Sequence, residues 1–340
     1  MICYIYPMEI DIVYTWVNSN DQAWRKKRAE LAKQETGEDL AWRAGESRFQ
    51  DNNELKYSLR SIEKYLPFIR RVYIAHAGAA PDWVRKDRTD LVCVPQNEIL
   101  PEFCSPSYQS DVIESFLYKI PGLSEYYIYS NDDNFFCAPH SVEDLFDEEG
   151  KAKVGITPRL AGDYVADVFR EMELNAGRAL KKRIRTSKPV TISRYSWVPP
   201  SVRCMIKGVM PLNTMTHVAQ PFRKSIWPEF HKTFAKEIDT LCQSHFRSPQ
   251  GFAINMMAHH FAQSSDKAIF EFCNQNDYMG RSAPMEYRDV FRQELLEKSH
   301  EIKRFCLNDE PADDNGSWVG YVAEILEGFF PNPSRWEIAA

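Results

Sequence analysis

No run of about 18 apolar residues occurs in the sequence, so nothing in it reads as a membrane-spanning helix. Excess positive charge is also missing. The chain carries 48 Asp and Glu against 42 Lys and Arg, a formal net charge of -6. A protein that binds nucleic acid over its surface usually reads basic, so a nucleic-acid partner is not expected. The eight cysteines form no C-x-x-C pair and no zinc-finger spacing. Most are flanked by apolar residues, which predicts buried free thiols and a reducing compartment. The apolar opening, residues 1–17, holds Glu9 and Asp11. It lacks a basic start and a small-residue cleavage site, which argues against a signal peptide. Internal repeats and low-complexity segments are absent too. The 44% hydrophobic share over 340 residues instead suits one large core or two smaller ones.

Residues 9–17, EIDIVYTWV, are rich in β-branched and aromatic types and predict a buried strand. NSND at 18–21 breaks it, and a helix is expected from Asp21, as N-cap, to about Glu35. Leu55, Leu59, Ile62 and Leu66 fall on one face of a second helix that Pro67 ends. Strands are predicted in RRVYIAHAG and DLVCVPQ, a helix over 107–120, and a further strand in YYIYSNDDNFF. Alternating strands and helices through about residue 137 argue for an α/β fold with a mostly parallel sheet. Residues 151–211 read as an insertion or lid whose run RALKKRIRTSK, 178–188, carries six bases and no acid. Helices are expected over 219–243, 249–263, 286–299 and 317–329, with a short strand in 301–309. The expected organisation is therefore an α/β core over 1–150, a basic insertion over 151–215 and a helical part over 216–340, forming one catalytic unit.

The sharpest chemical feature is Asn131-Asp132-Asp133 after an apolar strand. Ligands of open α/β sheets bind beyond the carboxyl ends of strands. Two adjacent carboxylates there suit a hard divalent cation carrying a diphosphate, although a turn with an Asx cap reads the same way. Asn18, Ser19, Asn20 and Asp21 form a strand-end loop without glycine, so it is neither a dinucleotide fingerprint nor a P-loop. Asn308-Asp309 closes another apolar segment. His217 has the reference pKa of a general base, and Arg247 precedes a helix where it would clamp phosphate. His259 and His260 are adjacent on a helix, point apart and read as core or surface residues. The basic run suits an anionic polymer or anionic headgroups, or is simply a solvated helix face.

The order of these signals resembles the Stealth family. That family includes bacterial capsule hexose-1-phosphate transferases and the alpha/beta subunit of the lysosomal-enzyme N-acetylglucosamine-1-phosphotransferase. Four blocks carry the resemblance. They are IDIVYTWVNSND at 10–21, RFQDNNELKYSLRSIEKYLPFIRRVYI at 48–74 continuing through SDVIESFLYKIPGLSEYYIYSNDD at 110–133, THVAQPF at 216–222 with FRSPQGFAINMMAHHF at 246–261, and FCLNDEPADDNGSWVGYVAEILEGFFPNPSRWE at 305–337. Two departures stand out: AHAGAAPDW replaces a polar stretch at Ala77 and Ala79, and Gln250 and Gly251 stand where an acid often follows the arginine.

The resemblance implies a nucleotide-sugar-transferase-like, Rossmann-like sheet flanked by helices, with the helical C-terminal half contributing to the same site. It implies transfer of a hexose-1-phosphate, of N-acetylhexosamine type, from a UDP-sugar to a hydroxyl of a capsular or cell-surface polysaccharide, with release of UMP. Mg²⁺ or Mn²⁺ would sit on Asp132, Asp133, Asn308 and Asp309. Asp133, His217, Arg247 and Asp309 would be catalytic, with His217 ahead of Asp132 as the base. Trp16, Asn18, Asp21, Arg48, Asp51, Glu54, Arg60 and Asn131 would bind the donor or support its pocket. An ordinary metal-dependent glycosyltransferase, attacking the anomeric carbon and releasing a diphosphate, stays open as an alternative. So does a non-catalytic glycan-binding protein. The expected location is the cytoplasm of a bacterium, with peripheral contact at the inner membrane face or with capsule assembly machinery.

Overall fold

A computed structural model describes residues 8–34, 49, 51–160, 168–184, 213–215, 217–272, 278–281, 288–297, 301–307 and 317–338. Arg48, Asn308 and Asp309 lie outside the described residues. The chain runs β1 (Ile10–Val17), α1 (Gln22–Ala32), α2 (Glu54–Tyr65), β2 (Ile69–Ala77), β3 (Leu91–Pro95), α3 (Gln96–Ile99), α4 (Ser110–Phe116), β4 (Tyr126–Asn131), β5 (Asn134–Phe136) and β6 (Ala152–Leu160). It continues through α5 (Val168–Arg183), β7 (Asn213–Met215), β8 (Gln220–Arg223), α6 (Ile226–Thr233), α7 (Ala235–Cys242) and α8 (Ile254–Ser264). The last elements are β9 (Ala268–Phe272), β10 (Tyr278–Arg281), α9 (Arg288–Glu297), β11 (Arg304–Leu307) and α10 (Ser317–Phe329).

The main sheet has the order β3-β2-β1-β4-β8. Its first four strands are parallel and β8 is antiparallel at the edge. A parallel strand covered on both faces needs a continuous apolar run, and Ile10, Ile12, Val13 and Tyr14 of β1 are fully buried. Asp11 interrupts that run and is buried as well. Arg70 of β2 donates to it through Nε (2.9 Å) and Nη2 (2.7 Å), and the Ser124 N–H donates at 2.7 Å. One carboxylate thus ties together the starts of three strands. The helix expectations over α1 and α2 hold: Asp21 Oδ1 accepts the Trp24 N–H at 3.0 Å, and Leu55, Leu59, Ile62 and Leu66 are buried.

Two three-stranded sheets, β10-β11-β5 and β7-β6-β9, complete the fold. β11 runs antiparallel to β5, pairing Phe305 with Phe135 and Cys306 with Asn134. The segment expected as an insertion contributes β6, which pairs in parallel with β9, and the core residues Val154, Ala176 and Leu180. The expected helix over 219–243 is corrected at its start. Residues 220–223 form β8, because Phe222 packs into the core beside Tyr127 as the outermost partner of β4. No helix of the described residues is long and apolar enough to cross a membrane.

The expectation of free thiols is also corrected. Cys104 and Cys242, 138 residues apart, form a disulfide, whereas Cys93, Cys137 and Cys306 are not disulfide-bonded. The two segments are laced by other bonds: Gln109 Nε2 donates to Leu241 O (3.0 Å) and Ser244 O (2.7 Å), and Tyr108 N donates to His245 O (2.8 Å). Sequence spacing carries no trace of a contact made at that distance along the chain.

The C-terminal segment is clamped to α2. Arg60 donates through Nε and Nη2 to the two Glu337 carboxylate oxygens, each at 2.8 Å, and through Nη1 to Phe330 O at 2.8 Å. Burial raises the Glu337 pKa, but the bonds from Arg60 and from the Ser334 N–H (2.7 Å) together outweigh it and hold the carboxyl below its ordinary 4.5. The pair's stabilisation is therefore fully present above that pH and is lost as pH falls through the depressed folded pKa. Glu337→Ala leaves the half-buried Arg60 guanidinium with Phe330 O and Glu327 but without its two-oxygen partner, and is expected to cost about 1–3 kcal/mol. The measurement is urea unfolding, and Glu337→Gln should also flatten the acid limb of the stability profile; an unchanged midpoint would remove the clamp. For the disulfide, the Cys104→Ser/Cys242→Ser double variant is expected to lose about 2–5 kcal/mol. Its melting should become indifferent to dithiothreitol, while that of the wild type is not.

Candidate active site

β4 is an inner strand whose buried run Tyr127, Ile128 and Tyr129 carries the chain to the carboxyl edge of the sheet. Asn131, Asp132 and Asp133 emerge there, and β5 leads away from them. Asp133 is enclosed from three directions. Its Oδ1 accepts Asn134 Nδ2 (2.8 Å), its Oδ2 accepts the Cys306 thiol (3.2 Å), and its backbone oxygen accepts Leu307 N–H (3.0 Å). His217 Nε2 stands 3.7 Å from Oδ2. One ligand atom each from Asp133, His217 and Cys306 lies within 4.8 Å of the others. Imidazole and thiol suit softer metals, whereas a carboxylate is the donor that Mg²⁺ or Mn²⁺ prefers, so Asp133 is the member of this group that fits a hard divalent cation. The next residues in sequence after Leu307 are Asn308 and Asp309, which lie outside the described residues.

His217 is half-exposed and reachable from solvent. Loss of surrounding water lowers its proton affinity, but the Asp133 carboxylate outweighs that and sets the pKa above 6.5. Arg247 and Glu114 also act on it electrostatically, with opposite signs. Asn131 Nδ2 lies 3.5 Å from His217 Nε2. The amide is oriented from behind, because the Tyr129 hydroxyl lies between Asn131 Oδ1 (2.5 Å) and Glu114 Oε1 (2.8 Å) and shares its single proton between these contacts. Asn255 Nδ2 donates to the other Glu114 oxygen at 2.6 Å.

Arg247 is held by the first turn of α4: Nε donates to Asp111 Oδ2 (3.1 Å) and Nη2 to Ser110 Oγ (2.8 Å). Glu114 lies one turn further on, so two buried acids share one helix face. Burial, and next the Asp111 charge, raise the Glu114 pKa to about 7.

Sequence reasoning missed Glu114, Asp111, Tyr129, Asn255 and Cys306. A signal existed for the first two: Asp111 and Glu114 sit at helical spacing among Val112, Ile113 and Phe116, and acids on an apolar face demand partners.

The strand-end loop after β1 is knitted to the end of β2. Asp21 Oδ2 accepts Ala79 N–H (2.9 Å), and Asn18 Nδ2 donates to Ala79 O (3.3 Å). Backbone N–H groups of Trp24 and Ala79 hold the Asp21 carboxyl below its ordinary value. Gly78 has φ +73°, and an added Cβ would lie 3.1 Å from Asp21 Cβ and Oδ2, so the approach requires glycine. Burial raises the Asp51 pKa against the opposing bond from the Asn53 N–H (2.9 Å), and the Asp51 N–H reaches Ser19 Oγ at 3.3 Å. Asn18, Asp21 and Asp51 are thus held at the strand-end loop after β1. Arg60 is not brought to the Asp133 group, since its guanidinium is engaged with Glu337 and Phe330. His259 Nε2 meets Gln220 Oε1 at 2.8 Å, stacks on Phe222 and is pushed down to about 3 by burial, as expected of a core histidine.

The chain is similar to known proteins. Family models described as Stealth protein conserved regions 1, 2 and 3 match residues 8–35, 48–154 and 216–264. The capsular polysaccharide phosphotransferase fcs1 of Haemophilus influenzae is 26% identical over 314 residues, covering 91% of this chain and 80% of its own length. The exopolysaccharide phosphotransferase CpsY of Mycobacterium tuberculosis is 28% identical over 334 residues, covering 97% of this chain and 58% of its own. The exopolysaccharide phosphotransferase SCO6023 of Streptomyces coelicolor is 26% identical and covers 96% and 52%. The chain thus spans about half to three fifths of the length of these two exopolysaccharide relatives. Among solved structures, the galactosyltransferase LgtC, in complex with donor and acceptor sugar analogs, overlaps 96% of this chain and 98% of its own at TM-score 0.40 and 11% identity. The three conserved regions follow one another along more than half of the 340 residues and bracket Asp133, His217 and Arg247: the chain belongs to the Stealth family.

Proposed function

We propose that the chain transfers a hexose-1-phosphate, of N-acetylhexosamine type, from a UDP-sugar to a hydroxyl of a capsular or cell-surface polysaccharide. The observation that carries this reading is the meeting of Asp133, His217 and Asn131 at one strand end, with Arg247 acting on the same histidine. Relatives named capsular and exopolysaccharide phosphotransferases support it.

The acceptor oxygen forms a bond to the sugar-linked phosphorus, and the bond from that phosphorus to the bridging oxygen breaks. The electron pair leaves on the phosphate of UMP, and the acceptor proton goes to His217 Nε2. A base whose pKa lies near the working pH is the effective one, and an imidazole starts close to that range. Such transfers depend on positioning and charge neutralisation more than on covalent catalysis. Arg247, oriented by Asp111 and Ser110, faces the charge on the transferring phosphate. Mg²⁺ or Mn²⁺ held by Asp133, with Asp132, Asn308 and Asp309 as companions, would neutralise the diphosphate oxygens. Trp16, Asn18, Asp21, Arg48 and Asp51 form the donor side. Glu114 positions Asn131 through Tyr129.

Arg247→Ala is expected to lower turnover roughly 10²–10³-fold, and His217→Ala roughly 10²–10⁴-fold, with unchanged circular dichroism. Phosphorus NMR of the products tests the reaction itself: UMP and a phosphodiester support it, whereas UDP and a plain glycoside would identify attack at the anomeric carbon.

A second prediction concerns Glu114. Its folded pKa of about 7 exceeds the ordinary 4.5. Between these values the native chain keeps a proton that the unfolded chain has released, so stability falls as pH rises through this window. Glu114→Gln removes that fall. The urea midpoint of the variant should gain on the wild type between pH 5 and pH 8, and a constant difference would exclude a raised pKa.

A further inference from the structure

The first turns of α5 lie against the Arg247 loop. The Arg247 guanidinium carbon is 5.8 Å from the Phe169 ring centroid, Met172 O accepts Ala253 N–H (3.3 Å), and Asn175 Nδ2 donates to Pro249 O (2.9 Å) and Gly251 O (3.0 Å). One face of the helix therefore follows the loop away from the site. Arg178 continues that face, its Nη1 donating to Asn175 Oδ1 at 3.1 Å. Lys181 and Lys182 lie one turn beyond Arg178, and all three are exposed. Arg183 turns the other way and pairs with Glu237 at 2.7 Å. At 1.5 Å per residue, Phe169 and Lys182 stand roughly 20 Å apart along the axis.

The sequence adds an independent observation. Between Glu173 and Glu229 there are 11 Lys and Arg and no Asp or Glu. The chain as a whole has more acids than bases, 48 against 42, so a stretch of this length would ordinarily carry several acids. The acid-free stretch begins inside α5 and contains His217. Helix-dipole complementation explains bases in the last turn of α5, but not the exclusion of acids over the whole stretch.

We infer that Arg178, Lys181 and Lys182 form an anion track that holds the phosphates of an acceptor glycan already extended through phosphodiester bonds. This rests on the transfer reaction proposed above. Each round of that reaction leaves one negative charge on the product, so an acceptor returning for another round is a polyanion. A basic face that begins roughly 14 Å along the helix from the Arg247 contact is complementary to such a chain, and weak contacts at successive phosphates add through effective concentration.

The test uses the whole chain with a fluorescent hexose-phosphodiester oligomer, a neutral glycan of equal length and phosphatidylglycerol vesicles, all without donor. The wild type should bind the oligomer, lose it as salt rises, and bind the neutral glycan poorly. Arg178→Ser/Lys181→Ser/Lys182→Ser should weaken oligomer binding about tenfold. The charge-preserving Arg178→Lys/Lys181→Arg/Lys182→Arg should restore it. Turnover on a short neutral acceptor should be unchanged in both variants, while KM for the oligomer rises in the serine variant alone. Equal oligomer affinity in wild type and serine variant would overturn the track. So would equal binding of the neutral glycan, or a preference for the vesicles. If no acceptor is phosphorylated by the wild type, the transfer reaction fails, and the donor-free binding still decides the track.

Discussion

The pairing of β11 with β5 is the contact on which the site depends. β5 begins one residue after Asp133, and β11 lies in sequence near the other end of the chain. Their antiparallel register sets Cys306 against Asn134 and Leu307 against the Asp133 carbonyl. Only then does the thiol reach Asp133 Oδ2. The stacked rings of Phe135, Phe305 and Phe330 lie beneath this joint, so removing that apolar layer from water stabilises the same geometry that places polar atoms at the strand end. The Arg60–Glu337 pair acts further back, fastening the end of the described chain to α2. Packing and placement of the site are thus one problem in this fold.

A second layer consists of polar groups that burial forces into partnership. Asp111, Glu114, Tyr129 and Asn255 are not beside Asp133 in sequence, yet they decide how Arg247 and Asn131 are presented. A buried carboxylate is costly unless bonded. Asp111 meets that demand with Arg247, and Glu114 with Tyr129 and Asn255. The result is stiffness: an arginine fixed through Nε and Nη2 and an amide fixed through its oxygen lose little freedom when a phosphate arrives.

Much of the framework was legible in the sequence. β1 shows as a β-branched run because a central parallel strand must be apolar on both faces, and α2 shows as a stripe of leucines and isoleucine. The tandem aspartate was visible because it interrupts an apolar strand. Contacts that join distant segments were not visible. Nothing near Cys104 announces Cys242, and nothing near Arg60 announces Glu337. Residues 220–223 have a pattern that neither helix nor strand claims alone; the free edge of β4 decides it. Arg60 was expected at the donor because it lies in a block of family resemblance, yet its side chain faces the C-terminal segment. Block membership locates a backbone, whereas the direction of a side chain is set by what packs there.

The diphosphate of the proposed donor would have to approach several carboxylates. Each is compensated differently. Asp21 is satisfied by backbone N–H groups, Asp111 by a guanidinium, and Glu114 by burial that favours its protonated form. Asp133 faces a thiol, an amide and an imidazole, with room among the ligand atoms for a cation. The stretch that leads from α5 through His217 excludes acids altogether. Acids are thus retained where a guanidinium, backbone N–H groups or burial compensates them, so an acidic net charge is compatible with the anionic donor and acceptor proposed above.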